Sequence, residues 1–260
     1  MRLGIKFFLL LPLVLFGKVI EVQHFKELLT HISKDTLILL DIDDTLLIPK
    51  QMLGSDIWFN YRWREYQKMG MSRGDALEKS LAEWNAIRHL TEMEIVEPGT
   101  KEIISQMQDE GYTVMGLTTQ GIAMATRTSM QLKDLGIHLV RTAPSKNGHY
   151  LNINEHGVLF REGVLFTSGT PKGKALFALL YTLGYYPKEI VFINDKLAHL
   201  HDIEEEAEKN KIKYCGLRYA YSDARKKAFR VDVADYQFCH STFDRICSDE
   251  EGTIATNKSL

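Results

Sequence analysis

The sequence predicts an α/β fold built on a parallel sheet, and three observations predict it. Apolar runs of strand length, residues 36–40, 112–117 and 190–193, end abruptly in polar residues instead of alternating with them. Such runs mark strands buried on both faces. Segments of helical spacing lie between them, at residues 98–109, 121–135 and 197–210. The residues that close the runs are Asp, Thr and Asn, placed where an α/β sheet binds its ligands, beyond the carboxyl ends of the strands. A chain of 260 residues fits one such core with an insertion. With 32 basic against 34 acidic residues there is no basic excess to favour a nucleic-acid partner.

At the start, Arg2 and Lys6 precede a ten-residue apolar run, residues 7–16, and then Gly17. This pattern predicts a secretory signal peptide, too short to span a bilayer. The expectation is an exported protein, periplasmic or secreted, with no stable membrane insertion once the leader is removed. Val22, Phe25, Leu28, Leu29 and Ile32 predict a helix over 22–33. The strand 36–40 follows, then a polar turn over 41–49. Residues 55–90 read as two aromatic-rich helices, the first carrying Trp58, Phe59, Tyr61, Trp63 and Tyr66, the second capped by Ser72.

A helix over 98–109, closed by Gly111, leads to the strand ending in Thr118-Thr119-Gln120-Gly121. A helix over 121–135 and a strand over 138–141 come next. Residues 158–160 and 164–166, flanking Arg161-Glu162-Gly163, predict a β-hairpin beside the site. Thr170 and Pro171 suit the N-cap and first position of a helix that opens with Lys172 and Lys174. Lysines there oppose the macrodipole unless they meet an anion. The glycine spacing excludes a Walker A loop. Strand 190–193 ends in Asn194-Asp195, followed by an acidic helix over 197–210 whose Glu204-Glu205-Glu206 run reads as a solvated face, and a last strand over 213–217. The tail after Asp249 reads as disordered. Cys215, Cys239 and Cys247 show no metal-type spacing, and either a Cys239–Cys247 loop or buried free thiols suits them.

Asp41 and Asp43 carry the chemistry. Two apart at a strand end, they can point the same way, and two close carboxylates repel unless a cation joins them or one keeps a proton. That calls for a divalent metal, or a nucleophile paired with an acid.

The Asp41-x-Asp43-x-Thr45 pattern resembles motif one of the haloacid dehalogenase-like (HAD) superfamily. Thr118 is similar to its motif two, Lys172 in Lys-Gly-x-Ala-Leu to motif three, with Lys174 as the second choice, and Asn194-Asp195 to motif four. The resemblance spans residues 35–220 and is nearest to exported HAD-type acid phosphatases and to an uncharacterised family of HAD-like proteins with leaders. It implies a HAD-like, Rossmannoid parallel-sheet core over 18–50 and 95–248. A small helical cap would be inserted over 51–94, after the first strand, beside the hairpin insertion.

The resemblance further implies a Mg2+-dependent hydrolase of small phosphomonoesters. Asp41 would be the nucleophile forming an aspartyl-phosphate, and Asp43 the general acid and base. Mg2+ would be held by Asp41, the main-chain carbonyl of Asp43, and Asp195. Lys172 and Thr118 would hold phosphoryl oxygens, joined by Thr45, Thr119 and Lys174. The chain departs from the pattern at Asn194, where Asp is common, and at His199, where many relatives carry Asp or Asn. Asn194 is then expected to orient a metal-bound water. A non-catalytic phospho-ligand binder and a phosphotransferase stay open beside hydrolysis.

Overall fold

The computed structural model describes residues 18–242 and 245–258, so the expected leader, residues 1–17, lies outside it. In chain order the strands are β1 (Val19–Val22), β2 (Thr36–Leu40), β3 (Leu47–Pro49), β4 (Met93–Ile95), β5 (Thr113–Thr118), β6 (His149–Ile153), β7 (His156–Arg161), β8 (Val164–Phe166), β9 (Glu189–Asn194) and β10 (Lys213–Tyr219). The α-helices are α1 (Asp56–Lys68), α2 (Arg73–Leu90), α3 (Thr100–Asp109), α4 (Ala125–Asp134), α5 (Lys172–Leu183), α6 (Leu197–Lys209), α7 (Asp223–Lys227), α8 (Val231–His240) and α9 (Asp249–Asn257).

Eight strands form one sheet in the order β1-β10-β9-β2-β5-β8-β7-β6. The pairs from β1 through β8 are parallel, and β8-β7-β6 continue antiparallel. The fold is therefore α/β, with a mostly parallel central sheet and flanking helices. The apolar runs behave as strands buried on both faces should. Ile38 and Leu40 enter one core with Val191 and Ile193, whereas Leu37 and Leu39 enter the other with Ile190 and Phe192. Period-two alternation thus feeds two cores, one on each side of the sheet.

Helices α1 and α2 are inserted between β3 and β4, which pair antiparallel and close the base of the insertion. Ser55 and Ser72 accept from the backbone N–H of Trp58 and Asp75, so both helices start at side-chain caps. Their apolar faces join a third core of Leu53, Trp58, Trp84 and Met124 with Ala234 and Ile246.

Five expectations need correction. Residues 22–33 are not an α-helix: β1 adds to the edge of β10, and a 3-10 helix follows over Phe25–Thr30. The buried residues Val22, Phe25 and Leu28 recur every three positions, which suits a three-residue turn. Residues 138–141 are not a strand but contain a 3-10 helix over Leu139–Arg141. The edge of β5 they would need is taken by β8. The expected hairpin exists but gains a third strand, β6, and extends the main sheet. Pro171, not Thr170, stands at the capping position of α5, and no side chain caps it. The tail is helical: Ser248 and Glu251 form a capping box that starts α9. All three cysteines are free, with Cys239 exposed and Cys247 buried.

Candidate active site

Three neighbouring parallel strands, β9, β2 and β5, deliver their carboxyl ends to one place. Asp41 follows β2, Thr118 ends β5, and Asn194 ends β9. The chain after β2 turns sharply because Asp44 adopts a left-handed conformation at φ 59° while its N–H donates to the Leu47 carbonyl at 2.9 Å. Short polar side chains such as Asp tolerate that conformation better than most.

Lys172, at the start of α5, is the most buried cation of the cluster, with a side chain fully shielded from solvent. Its ammonium donates to Asp41 Oδ1 at 2.5 Å and to the Leu117 carbonyl at 2.9 Å. Burial raises the Asp41 carboxyl and lowers the Lys172 ammonium, and their mutual attraction opposes both shifts. Lys174 is exposed, so of the two expected lysines only Lys172 reaches the cluster. Gly173 makes that geometry possible: a Cβ there would stand 2.3 Å from the Asp202 carbonyl oxygen. The Asp202 carboxylate accepts from the Gly173 N–H at 3.1 Å, an acid at a helix N-terminus that offsets the macrodipole.

Asp43 is gripped from two sides. Arg88 of α2, only 1% exposed, donates to its Oδ1 at 2.7 Å, and Gln120 Nε2 donates to its Oδ2 at 2.7 Å. Gln120 is itself oriented by Thr128, whose hydroxyl donates to Gln120 Oε1 at 2.6 Å. Burial raises the Asp43 carboxyl and Arg88 opposes that. Thr118 accepts from the Gln120 N–H at 3.2 Å, and Thr119 is exposed beside it. The Thr45 hydroxyl is a brace between segments: it accepts from the Asp195 N–H at 3.2 Å and donates to Asp41 Oδ2 at 3.5 Å.

Asp195 is buried, and Lys226 of α7 contacts its Oδ2 at 2.9 Å. Its Oδ1 is buried without a hydrogen-bond partner. Burial raises the Asp195 carboxyl, and the nearby Asp41 adds to the rise. Asp44 is raised well above its ordinary value by burial, then by Asp56 and Asp195. Lys196 pairs with Asp56 at the start of α1, and Asp56 foremost raises the lysine. Asn194 is engaged at both ends: its Oδ1 accepts from the Lys196 N–H at 2.7 Å, and its Nδ2 lies 3.3 Å from His199 Nδ1. Burial and the lysines Lys172 and Lys196 push His199 down to about 3, so the ring is neutral and can accept that amide proton.

Does this donor set fit a divalent cation? Asp41, Asp43, Asp56 and Asp195 are each paired with a cation, Lys172, Arg88, Lys196 and Lys226, and Asp44 lies beside them. One buried carboxylate oxygen has no partner. Among the described residues no cage of three or more His, Cys, Asp or Glu side chains is formed. The expected set, however, needs two side-chain carboxylates and a main-chain carbonyl. Hard oxygen donors, one of them an unpartnered buried carboxylate oxygen, fit Mg2+.

Above Asp43, between the inserted helices and the sheet, lies a cavity of about 610 Å3. Its walls include Phe59, Leu77, Leu81 and Trp84 from the insertion and Thr119, Gln120 and Gly169 from below. His156, at the tip of the β6–β7 turn, reaches its rim.

Sequence reasoning missed Arg88, Gln120, Asp56, Lys196 and Lys226 as members of the cluster. Gln120 and Lys196 carried a usable signal, since each adjoins a strand-end motif. Arg88 and Lys226 carried none, because charged residues on helices are ordinarily solvated.

A family model described as "Protein of unknown function (DUF2608)" matches residues 21–253. A putative outer membrane protein of Chlamydia pneumoniae is 25% identical over 217 residues, which are 84% of this chain and 80% of that protein. An uncharacterised protein of Rickettsia prowazekii (strain Madrid E) is 24% identical over 204 residues, 75% of this chain and 73% of its own. Among solved structures, a haloacid dehalogenase-like family hydrolase from Streptococcus pneumoniae is similar at 13% identity and a TM-score of 0.42, covering 74% of this chain and 97% of that one. A phospho-aspartyl intermediate analogue of phosphoserine phosphatase is similar at 16% identity and a TM-score of 0.39, covering 76% of this chain and all of the other.

Proposed function

The chain belongs to the DUF2608 family, and from its own site we propose that it is a HAD-type, Mg2+-dependent hydrolase of small phosphomonoesters. One observation carries the reading. A strand-end carboxylate, Asp41, is held at 2.5 Å by a fully buried lysine, with a second carboxylate, Asp43, two residues on at the floor of a cavity. A solvated acidic turn has no use for a buried lysine, whose desolvation is costly without a function or a partner.

In this reading Asp41 attacks phosphorus and forms an aspartyl-phosphate. Lys172 orients the attacking carboxylate and meets the negative charge on the phosphoryl oxygens, and the strand-end hydroxyls of Thr118 and Thr119 stand beside it. Asp43 gives a proton to the leaving alcohol and afterwards takes one from the hydrolytic water. Arg88 and Gln120 fix the orientation of Asp43 for both transfers. Asp41, Asp195 and the main-chain carbonyl of Asp43 would hold Mg2+, which when bound supplies positive charge for the transferring group. Thr45 then acts as a brace, and Lys174 stays outside the site.

We further propose the division into a core over 18–50 and 95–248 and a cap over 51–94, supported by the β3–β4 stem beneath α1 and α2. Export, periplasmic or secreted, is proposed from the leader-like residues 1–17 and from the outer-membrane name of relatives. Among the described residues no helix is long and apolar enough to cross a membrane.

The test is phosphate release from a broad panel of phosphomonoesters with and without Mg2+. Turnover that requires Mg2+ and disappears in Asp41→Asn is the expected result. An active Asp41→Asn protein would remove the nucleophile assignment, and no release from any ester would remove the hydrolase.

A further inference from the structure

The cavity above Asp43 carries information about what leaves when the phosphoester bond breaks. A general acid must lie within hydrogen-bond reach of the oxygen it protonates. Asp43 lines this cavity, so the leaving alcohol extends into it. This step rests on the hydrolase reading above.

The walls define the alcohol. The insertion presents Phe59, Leu77, Leu81 and Trp84 to the cavity. Leu77 and Leu81 are 37% and 41% exposed, whereas Ala76 and Trp84 of the same helix are buried. Two partly exposed leucines facing a cavity that an acid also lines are apolar surface left for something other than the chain itself. The charges point the same way. The only lysine or arginine among the lining residues is Lys196, and it is paired to Asp56. Asp43 is likewise paired, to Arg88, so no unpaired lysine or arginine among the lining residues offers a second phosphate or carboxylate a partner.

We propose that the substrates are phosphomonoesters of neutral, apolar alcohols of aryl-alkyl size, whose ring lies against Leu77, Leu81, Phe59 and Trp84. Esters of anionic alcohols are disfavoured because no unpaired cation lines the cavity.

Binding of non-hydrolysable phosphonates separates this inference from catalysis. The probes are 3-phenylpropylphosphonate and 3,4-dihydroxybutylphosphonate, titrated by calorimetry with Mg2+ into the wild type and into Leu77→Gln and Leu81→Gln. Both leucines are partly exposed, so the variants keep the fold, which circular dichroism checks. The phenyl probe should bind at least about 10-fold tighter, the scale of discrimination by an apolar pocket. Each variant should reduce that ratio at least about threefold. Equal affinities, a preference for the diol, or a ratio unmoved by either variant overturns the inference. Phosphate release from 2-phenylethyl phosphate, glycerol 1-phosphate and 3-phosphoglycerate, all esters of primary alcohols, tests the hydrolase reading separately. Release fastest from the first supports both readings. Phenyl-selective binding with no release from any ester overturns the hydrolase and leaves the ligand class standing.

Discussion

At the scale of single residues, Asn194 ties the end of β9 to the start of α6. Both ends of its amide are engaged, one by the Lys196 N–H and the other by His199. An aspartate would present its oxygen to the same Lys196 N–H, so Asn194→Asp should change Mg2+ affinity by less than about threefold, measured by calorimetric titration. The same substitution removes the amide proton that neutral His199 accepts. His199 also gives the protein a pH dependence. Its folded value of about 3 lies below the ordinary 6.5, so the unfolded chain binds the proton more readily between the two. The contribution of His199 to stability is therefore full above about pH 6.5 and is lost as pH falls toward 3, by on the order of a few kcal/mol. Urea unfolding at pH 7, 5.5 and 4 measures the slope, and His199→Gln should flatten it.

Elements set the distances on which these residues depend. α5 carries Lys172 to Asp41 only because α6 comes close enough for its Asp202 carbonyl to sit where a Cβ of residue 173 would be. Gly173→Ala should push the two helices apart, cost about 1–3 kcal/mol by overpacking, and lower phosphate release at least about 10-fold. Denaturant midpoints and initial rates check the pair of effects. The inserted helix α2 contributes Arg88, whose charge is buried against Asp43. Removing one member of a buried pair strands the other, so Arg88→Met should destabilise by about 3–5 kcal/mol. α7 contributes Lys226, which holds one oxygen of Asp195. A cation arriving at Asp195 meets that ammonium as a like charge. Lys226→Met should therefore tighten Mn2+ binding roughly 10-fold, the usual influence of a group that contacts a metal ligand. Weaker binding in the calorimeter would show that Lys226 positions Asp195 instead of competing for it.

Across the whole molecule, the inserted helices are not carried on the β3–β4 stem alone. Gln237 of α8 accepts from the Leu53 N–H at 3.0 Å, Asp249 of α9 accepts from the Met52 N–H at 3.0 Å, and Phe238 packs on Trp58 with ring centroids 5.6 Å apart. The C-terminal helices thereby fix the start of α1, which holds Asp56 against Lys196 at the mouth of the site. Trp58 is fully buried in this junction. Trp58→Ala should cost about 3–5 kcal/mol of global stability and loosen the cavity above Asp43. Differential scanning calorimetry gives the first effect, and faster amide exchange confined to α1, α2 and α8 gives the second.

The sequence by itself determined the parallel core, the three strand ends that carry Asp41, Thr118 and Asp195, and the helical pair between residues 55 and 90. Those features are local: a run of apolar residues, a cap, a carboxylate at a fixed step beyond a strand. The capping box of Ser248 and Glu251 was equally local and legible, and it turns the expected disorder after Asp249 into α9. Tertiary structure alone decided which lysine matters. Lys172 and Lys174 are two residues apart and so about 200° apart around a helix. One must face away from the other, and the packing of α5 on α6 turns Lys172 inward. It also decided that Arg88 is buried and that Lys226 and Lys196 turn from the solvent toward the acids of the site. A charge on a helix reads the same from the sequence whether it ends in water or against a buried carboxylate. Only the fold supplies the partner that makes its burial favourable.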